Sequence, residues 1–332
     1  MNWFERGWYG EHQGTLWLWP LSLLYRLISC LRRVAYQQGW LKSHQVAVPV
    51  LVVGNISVGG TGKTPMTLYL CQQLQQAGLK VGIVSRGYGA KISSPVRVLP
   101  EHSPADVGDE PYLLARRSGC PVVVCPDRVA AAEFLLAQQP LDLIISDDGL
   151  QHYRLQRDIE LVLVDGQRGV GNGLLLPAGP LREAVARLKT VDAVVINSAT
   201  GPSQLSLPAD LPCYAMRLQP TAPVPLTASG VWTEQAVTLV AAIGNPERFA
   251  MTVQAMGIAV KAKTFFPDHF AFTPDSLAAV SGPVLMTEKD AVKCRTFAKA
   301  DWFYLPVQAE LEPQSGSPAF MPWLLQHLQP RS

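Results

Sequence analysis

From Val46 onward, short continuous apolar runs alternate with stretches of helical character. Apolar runs without polar interruption are typical of strands buried on both faces of a sheet. Six such strands are predicted: Val48–Val53, Val81–Val84, Val122–Val124, Leu141–Ile145, Leu161–Val164 and Ala193–Ile196. Helices are predicted between them, for example at Thr64–Ala77 and Arg128–Gln138. The alternation predicts an α/β fold with a doubly wound, mostly parallel sheet.

A second strand–helix series follows a proline-rich stretch between Ala199 and Gly230. Its predicted strands are Leu239–Ile243, Val260–Thr264, Val284–Thr287 and Trp302–Leu305. Clustered prolines are typical of a boundary between domains. We therefore expect three regions: an N-terminal helix in residues 1–40, a nucleotide-binding domain in residues 41–205, and a smaller α/β C-terminal domain in residues 206–332.

The first 40 residues combine aromatic, apolar and basic positions. On a helix, the polar side chains would share one face: Ser22, Arg26, Ser29 and Arg33. The apolar side chains would lie on the opposite face: Leu24, Leu27, Leu31 and Val34. The apolar run Leu16–Leu31 is shorter than the roughly 20 residues of a spanning helix and contains Pro20, while Glu5 and Glu11 argue against a cleaved signal peptide. We predict an amphipathic helix in a membrane interface, which the tryptophans at positions 3, 8, 17 and 19 favour. The alternative is a surface helix packed on the protein's own core.

Composition narrows the class of protein. The 332 residues suffice for two domains with a large core. A net charge of +2 argues against a nucleic-acid-binding protein. The six cysteines form no CxxC pair, so neither a zinc site nor a disulfide framework is expected.

The strongest motif follows the first predicted strand and spans residues 57–64: Ser57, Val58, Gly59, Gly60, Thr61, Gly62, Lys63 and Thr64. Glycines let the backbone wrap a phosphate chain, and a helix N-terminus behind them attracts negative charge. Lys63 is predicted to contact the β- and γ-phosphates of ATP, and the Thr64 hydroxyl to coordinate Mg²⁺. Ser57 replaces the first glycine of the usual Walker A pattern. The run is similar to the GGxGK[ST] loop of MinD and the nitrogenase iron protein, except that Val58 replaces their signature lysine.

Acidic pairs supply further candidates. The apolar run Leu141–Asp148 ends in Asp147 and Asp148 and has the form of a Walker B strand, which delivers a carboxylate to Mg²⁺. Neighbouring strand residues point to opposite faces, so one of the two is expected to face the metal. Asp109 and Glu110 form a second acidic pair in a loop, where a carboxylate could serve as the base for an acceptor hydroxyl. A solvated turn at a helix N-terminus is the alternative for that pair.

Three arginines lie in glycine-containing loops near predicted strand ends: Arg86, Arg168 and Arg182. Ligands bind at the carboxyl ends of strands in open α/β sheets, and guanidinium groups bind phosphate in a bidentate manner. Each arginine could clamp a phosphate of ATP or of the acceptor substrate.

These motifs belong to a longer ordered set that resembles the tetraacyldisaccharide 4′-kinase family. The matching stretches are the N-terminal segment, Val53–Thr64, Ser85–Gly89, Gly108–Pro111, Asp147–Arg154, Gly171–Gly173, Leu176–Glu183, Gly244–Phe249, Asp268–Phe270 and Thr287–Lys293. The resemblance implies a P-loop NTPase-like fold and transfer of the γ-phosphate of ATP, with Mg²⁺, to the 4′-hydroxyl of a tetraacylated glucosamine disaccharide 1-phosphate. It also implies a peripheral or monotopic place at the cytoplasmic face of the bacterial inner membrane. Besides that lipid and the membrane surface, no nucleic-acid partner and no obligate protein partner are predicted.

The resemblance also implies roles for single residues. Asp109 and His269 correspond to the family's catalytic pair, Lys63 and Thr64 to its P-loop, and Asp147 with Asp148 to its acidic pair. The residues expected to bind substrate are Arg86, Tyr88, Gln151, Arg168 and Arg182. A histidine flanked by four phenylalanines is otherwise typical of a semi-buried structural residue. As a catalytic residue it would bring the C-terminal domain across the cleft.

Two other classes remain as alternatives. A GTPase would carry an N/T-K-x-D motif, and Thr287–Asp290 places Glu288 where that motif needs lysine. A membrane-associated ATPase switch of the MinD type would need no acceptor base such as Asp109 and would carry the lysine that Val58 replaces.

Overall fold

Two sheets organise the chain in the computed structural model, which describes residues 3–10, 12–197, 207–233 and 236–328. Within these ranges the larger sheet has nine strands in the order β14-β8-β7-β6-β1-β5-β2-β4-β3. They are β1 (Val50–Asn55), β2 (Val81–Ser85), β3 (Val96–Arg97), β4 (Val122–Val124), β5 (Leu143–Asp147), β6 (Ile159–Asp165), β7 (Ala193–Asn197), β8 (Cys213–Pro220) and β14 (Val307–Pro313). The six strands predicted in residues 48–196 are confirmed, with shifts of up to two residues at their ends.

The centre of this sheet is parallel, and β1 lies between β5 and β6. Every residue of β1, β5, β6 and β7 is buried, as their continuous apolar runs predicted. The outer strands β3 and β14 pair antiparallel with their neighbours. Parallel alignment brings the carboxyl ends of the central strands to one edge, where Asn55, Asp147, Asp165 and Asn197 lie.

Helices cover both faces of the nine-stranded sheet. The helices in the described ranges are α1 (Trp3–Trp8), α2 (Trp19–Gln37), α3 (Lys63–Gln76), α4 (Pro104–Val107), α5 (Asp109–Ser118), α6 (Arg128–Gln138), α7 (Pro246–Ala255), α8 (Glu288–Cys294) and α9 (Phe320–His327). Residues of α3, α5 and α9 pack in one buried cluster and residues of α6 in another. The predicted doubly wound arrangement is therefore confirmed.

The second sheet has five strands among the described residues, in the order β11-β10-β12-β13-β9. They are β9 (Val224–Pro225), β10 (Ala236–Ala241), β11 (Ala259–Phe265), β12 (Val284–Thr287) and β13 (Trp302–Leu305). Only β9 pairs antiparallel among them. The four strands predicted for this region are confirmed, and α7 and α8 connect them.

The two sheets do not divide the chain at one point. Strands β8 and β14 pair with each other, and β8 pairs with β7, so the chain returns to the nine-stranded sheet after completing the smaller one. The division expected at residue 205 lies outside the described residues. Of the region expected to form the C-terminal domain, Cys213–Pro220 and Val307–Pro313 instead extend the nucleotide-binding sheet. The reason is that β7 would otherwise leave an open sheet edge. β8 covers that edge, and β14 pairs with β8 on its other side.

Helix α2 lies on the surface with its apolar face outward. Leu24, Leu27 and Leu31 are each more than half exposed, and Trp17 before the helix is 88% exposed. Among the described residues, the segment Gly14–Gln37 is long and apolar enough to cross a membrane by length and composition. The apolar face does not pack on the protein's core, so the surface-packing alternative fails for this face.

The polar face of α2 is directed toward the protein, which corrects the expected basic stripe. Ser22 is buried, and its Oγ donates to the Leu175 carbonyl at 2.8 Å and accepts from the Ala178 N–H at 2.9 Å. The Tyr25 hydroxyl donates to the Arg182 carbonyl at 3.1 Å. Arg33 is half-buried, whereas Arg26 is exposed. Ser22 and Tyr25 fix this side of the helix to the segment 175–182, and of the two predicted arginines only Arg26 is open to solvent.

Candidate active site

The phosphate-binding loop joins β1 to α3. Its conformation requires glycine at two positions with positive φ, Gly59 at 111° and Gly62 at 95°. A Cβ on Gly62 would lie 2.5 Å from Asn197 Nδ2, so the close approach of β7 also excludes a side chain there. The Val58 N–H donates to the Pro180 carbonyl at 2.8 Å, and Ser57 forms a bridge with Leu181. The loop is therefore held from both sides with the N-terminus of α3 behind it, which is a ready anion-binding site.

Lys63 and Asp148 meet at the mouth of this loop. Lys63 Nζ lies 3.6 Å from Asp148 Oδ1, and Arg182 Nη1 lies 3.1 Å from Asp148 Oδ2. Burial opposes ionisation of Asp148, but Lys63 and Arg182 outweigh it and lower its pKa. Asp148 has a φ of 48°, a left-handed conformation that is costly for a non-glycine residue and concentrates at functional sites.

Asp147 is the last residue of β5, and like Asp148 it contacts α3. Its side chain is fully buried, and its Oδ1 accepts from Thr67 Oγ1 of α3 at 3.2 Å. Its Oδ2 has no hydrogen-bond partner among the described residues. Burial, together with Glu110 and Asp148, raises the pKa of Asp147 to about 7. A buried carboxylate oxygen without a partner beside a P-loop fits a hard cation, which oxygen ligands bind.

Asp109 is the first residue of α5. Gly108 before it has a φ of 94°, and a Cβ there would lie 2.9 Å from the Tyr88 carbonyl oxygen. The Asp109 side chain is only 15% exposed, so the alternative of a solvated turn does not hold. Its Oδ2 lies 3.5 Å from His269 Nδ1 and 3.7 Å from Lys293 Nζ. The two residues that the sequence predicted as a catalytic pair are therefore brought together from different sheets.

His269 lies in the loop that follows β11. It is a second non-glycine residue with positive φ, 61°, and its ring packs 5.1 Å from the ring of Tyr88. Lys289 Nζ lies 3.4 Å from His269 Nε2 and 2.9 Å from Glu110 Oε1. Burial would lower the pKa of Lys289, but Glu110 and then Asp268 outweigh it and raise that pKa. The flanking phenylalanines stack on one another beside this loop rather than enclosing the imidazole.

The remaining predicted substrate-binding residues occupy different places. Arg168 donates to the Gly244 carbonyl at 2.8 Å and so links the nine-stranded sheet to the loop after β10. Gln151 donates to Glu183 Oε1 at 2.8 Å and to the Asn55 carbonyl at 3.1 Å. Arg86 is exposed beside the P-loop edge of the sheet. Gln151 is thus engaged within the protein, whereas Arg86 is open to a ligand.

Several residues in this region were not predicted as site residues. Asn197 donates to the Thr61 carbonyl at 3.0 Å and accepts from Arg248 of α7. Lys289 and Lys293 complete the charged cluster around Asp109 and its acidic neighbour Glu110. Lys289 and Lys293 lie in the stretch Thr287–Lys293, whose match to the family was the only sequence signal for them. Nothing in that stretch indicated that these lysines face Asp109.

The fold and the loop define the class of protein: a P-loop enzyme with a doubly wound α/β domain, whose phosphate site is completed by a second sheet. The family model described as tetraacyldisaccharide-1-P 4′-kinase matches residues 14–329. This chain belongs to that kinase family, as the resemblance predicted, and the GTPase and MinD-type alternatives are wrong.

Relatives and a solved structure agree with this assignment. The tetraacyldisaccharide 4′-kinase of Aeromonas salmonicida is 51% identical over 312 residues, covering 92% of this chain and 91% of the relative. The same enzyme of Pseudomonas aeruginosa is 46% identical over 345 residues, covering 100% of both chains. The crystal structure of LpxK from Aquifex aeolicus in complex with ATP is similar with a TM-score of 0.79 at 29% identity, covering 95% of this chain and 99% of that chain.

Proposed function

We propose that this chain transfers the γ-phosphate of ATP to the 4′-hydroxyl of a tetraacylated disaccharide 1-phosphate, with the P-loop holding the donor and Asp109 activating the acceptor. The observation that carries this proposal is that the P-loop lies close to the loop after β10 and to the acidic residues at the start of α5. A Cβ on Gly244 would lie 3.1 Å from the Gly60 nitrogen, so the loop after β10 lies against the P-loop. Burial opposes ionisation of Glu110, the neighbour of Asp109, but Lys289 and then Lys63 outweigh it and lower the pKa of Glu110.

The donor side is assigned to residues 57–64. Backbone N–H groups of the loop and the N-terminus of α3 bind the phosphates, and Lys63 neutralises charge on the transferred phosphoryl group. Asp148 pairs with Lys63, and Arg182 in turn holds Asp148. Arg86 and Arg168 are assigned to phosphate groups of ATP or of the acceptor, because their guanidinium groups lie at the same edge of the sheet.

Mg²⁺ belongs to the proposed site, and when bound it neutralises charge on the phosphates of ATP. Thr64, Asp147 and Asp148 are the residues assigned to hold it. The orphaned Oδ2 of Asp147 supports this assignment. No cluster of three or more histidine, cysteine or acidic side chains fit for a metal occurs in the described part of the chain. Kinase Mg²⁺ commonly takes one or two carboxylates with phosphate and water, so such a cluster is not needed.

Asp109 is the proposed base. The acceptor hydroxyl donates its proton to the carboxylate while its oxygen attacks the γ-phosphorus. The new P–O bond forms as the bond from the γ-phosphorus to the β,γ-bridging oxygen breaks, and ADP leaves with that oxygen. His269, whose Nδ1 faces Asp109 Oδ2, orients the carboxylate and can carry the proton onward. Tyr88 packs against His269 with its ring tilted and is 65% exposed, which places its ring where it can contact the sugar.

The membrane surface is the proposed location, at the cytoplasmic face of the inner membrane. The acyl chains of the acceptor stay in a bilayer whereas ATP is in water, so the site must work at the interface. The outward leucines of α2 and the exposed Trp17 and Trp19 form one apolar surface suited to that interface. Its contact with the bilayer is peripheral or monotopic in this proposal.

The direct test is a product assay. The purified chain is incubated with MgATP and the disaccharide 1-phosphate, and the lipid is weighed by mass spectrometry. One added phosphoryl group at the 4′-position, absent with Lys63→Ala and much reduced when GTP replaces ATP, is the expected result. ATP hydrolysis without a phosphorylated lipid would contradict the proposal.

A further inference from the structure

Lys293 is a buried cation that the reaction scheme above leaves without a role. It lies on α8, and its side chain is 7% exposed. Its Nζ lies 2.8 Å from Asp290 Oδ1, 3.1 Å from the Phe270 carbonyl and 4.9 Å from the centre of the Phe272 ring. The same Nζ lies 3.7 Å from Asp109 Oδ2. A buried ammonium group is stable only when it is paired and hydrogen-bonded, and these contacts supply both.

Two carboxylates share this lysine, and they differ in kind. Asp290 is fully buried, and its Oδ2 accepts from the Ala242 N–H at 2.9 Å and from Thr287 Oγ1 at 2.6 Å. Asp290 is therefore fixed within the five-stranded sheet and anchors Lys293 there. Asp109 belongs to the other sheet, so the contact between Lys293 and Asp109 is made across the site.

We infer that Lys293 is a positioning residue for Asp109: anchored by Asp290 and Phe270, it holds Asp109 Oδ2 and leaves Oδ1 for the acceptor hydroxyl. This inference rests on the proposed role of Asp109 as the base. His269 Nδ1 approaches the same Oδ2, so both contacts from the five-stranded sheet fall on one oxygen. Fixing one oxygen of a carboxylate sets the direction in which the other accepts a proton, and orientation of this kind contributes strongly to rate.

Lys293 also stabilises the fold, because removing it alone would leave Asp290 as a buried unpaired charge. The test therefore needs variants that separate the positioning of Asp109 from the pairing with Asp290. Lys293→Met keeps the length of the side chain and removes the charge. Lys293→Met combined with Asp290→Asn removes both charges and spares the core an unpaired carboxylate. Lys299→Met is the control, since Lys299 is an exposed lysine in the segment before β13, 5.7 Å from the Trp302 ring and outside the site.

Turnover is measured as kcat and KM for each variant, with melting temperature and circular dichroism recorded in parallel. Lys293→Met is expected to lower kcat roughly 10- to 100-fold with little change in the KM for ATP, because misplacement of a reacting group costs rate rather than donor binding. Lys293→Arg is expected to recover part of the loss and Lys299→Met to behave as wild type. The variant lacking both charges is expected to melt near the wild-type temperature and to stay slow. Wild-type kcat in that variant would overturn the inference, since it would reduce Lys293 to a counter-ion of Asp290.

A double-mutant cycle with Asp109→Asn completes the test and separates its two possible failures. If Lys293 acts through Asp109, Lys293→Met is expected to cost little further turnover in the Asp109→Asn background. Equal losses in both backgrounds would overturn the inference while leaving the proposed base intact. Wild-type turnover in Asp109→Asn itself would instead overturn the base, and with it the inference.

Discussion

The two sheets contribute different groups to one site. Elements packed on the nine-stranded sheet supply the carboxylates Asp109 and Glu110, and elements of the five-stranded sheet supply the basic side chains His269, Lys289 and Lys293. Asp268 and Asp290 of the same sheet contact these basic side chains as well. The nine-stranded sheet holds a complete P-loop by itself. The proposed acceptor base, in contrast, has its neighbours in the other sheet. Nucleotide binding is therefore expected to depend on one sheet and phosphoryl transfer on both.

The largest expected effect is at Lys63, in the P-loop that the nine-stranded sheet holds by itself. Lys63→Ala is expected to lower turnover by roughly 10³-fold, because a preorganised charge on the transferred phosphoryl group is lost. Thr64→Ala is expected to be slow as well but to recover partly at raised Mg²⁺. Steady-state rates with the lipid acceptor measure both effects. Turnover near wild type in Lys63→Ala would mean that the donor is not held by this loop.

The second prediction distinguishes ATP binding, which is expected to need one sheet, from phosphoryl transfer, which is expected to need both. Asp109→Asn is expected to lower kcat roughly 10²-fold, because general base catalysis is lost, while ATP affinity measured by titration calorimetry stays unchanged. His269→Ala is expected to have a smaller effect from the other sheet, and the pair is expected to be less than additive because the two residues act together. Weakened ATP binding in Asp109→Asn would mean that Asp109 takes part in binding ATP. Nucleotide binding and phosphoryl transfer could then not be assigned to different parts of the site.

A third prediction tests the surface that lies outside both sheets. Leu24→Asp with Leu27→Asp is expected to weaken sedimentation with anionic liposomes, because about 0.8 kcal/mol is lost for each methylene no longer buried in lipid. ATP binding is expected to survive, since neither leucine contacts the nine-stranded core.

The control for this surface follows from the corrected orientation of α2. Arg26→Glu is expected to give a milder, salt-sensitive loss of liposome binding, about 1 kcal/mol, because Arg26 is exposed. Arg33→Glu is expected to act mainly on folding, because Arg33 is half-buried. A folded double-leucine variant that sediments like wild type would show that the apolar face does not bind lipid.

The smallest effect is a pH dependence confined to the nine-stranded sheet. Burial, and then Arg128, lowers the pKa of His152 to about 4. Because an unfolded histidine titrates near 6.5, the unfolded chain binds the extra proton first, and stability falls as pH drops from about 6.5 toward 4. The expected loss is about 1 kcal/mol between pH 6.5 and 5.5. His152→Gln is expected to flatten that part of the melting-temperature profile, and an unchanged slope would remove His152 from it.

The sequence predicted the nine-stranded sheet well because its signals are local. A strand buried on both faces must be continuously apolar, and a loop that wraps phosphate must carry glycines where φ is positive, as at Gly59 and Gly62. The strands β3, β8 and β14, at the two ends of the sheet, were not predicted. Cys213–Pro220 lies in a proline-rich region whose composition is typical of a linker, and its strand state depends on its distant partner Val307–Pro313.

The candidate site divides in the same way. Lys63, Asp147 and Asp148 could be located from the residues themselves, because each follows a strand in a known pattern. His269 and Asp109 were paired only through the family resemblance. Lys289 and Lys293 were not predicted as site residues, because their contacts span more than 170 residues of sequence and no local spacing encodes such contacts.

One chain of contacts limits how freely the parts of this protein can be exchanged. The Tyr25 hydroxyl of α2 bonds to the backbone of Arg182, whose side chain holds Asp148, which in turn pairs with Lys63. The surface helix is therefore not a detachable module. A chimera that replaced α2 with an unrelated amphipathic helix could keep an apolar surface and still lose the support beneath its phosphate loop. Engineering of a water-soluble form is better aimed at the outward leucines, with Ser22 and Tyr25 retained.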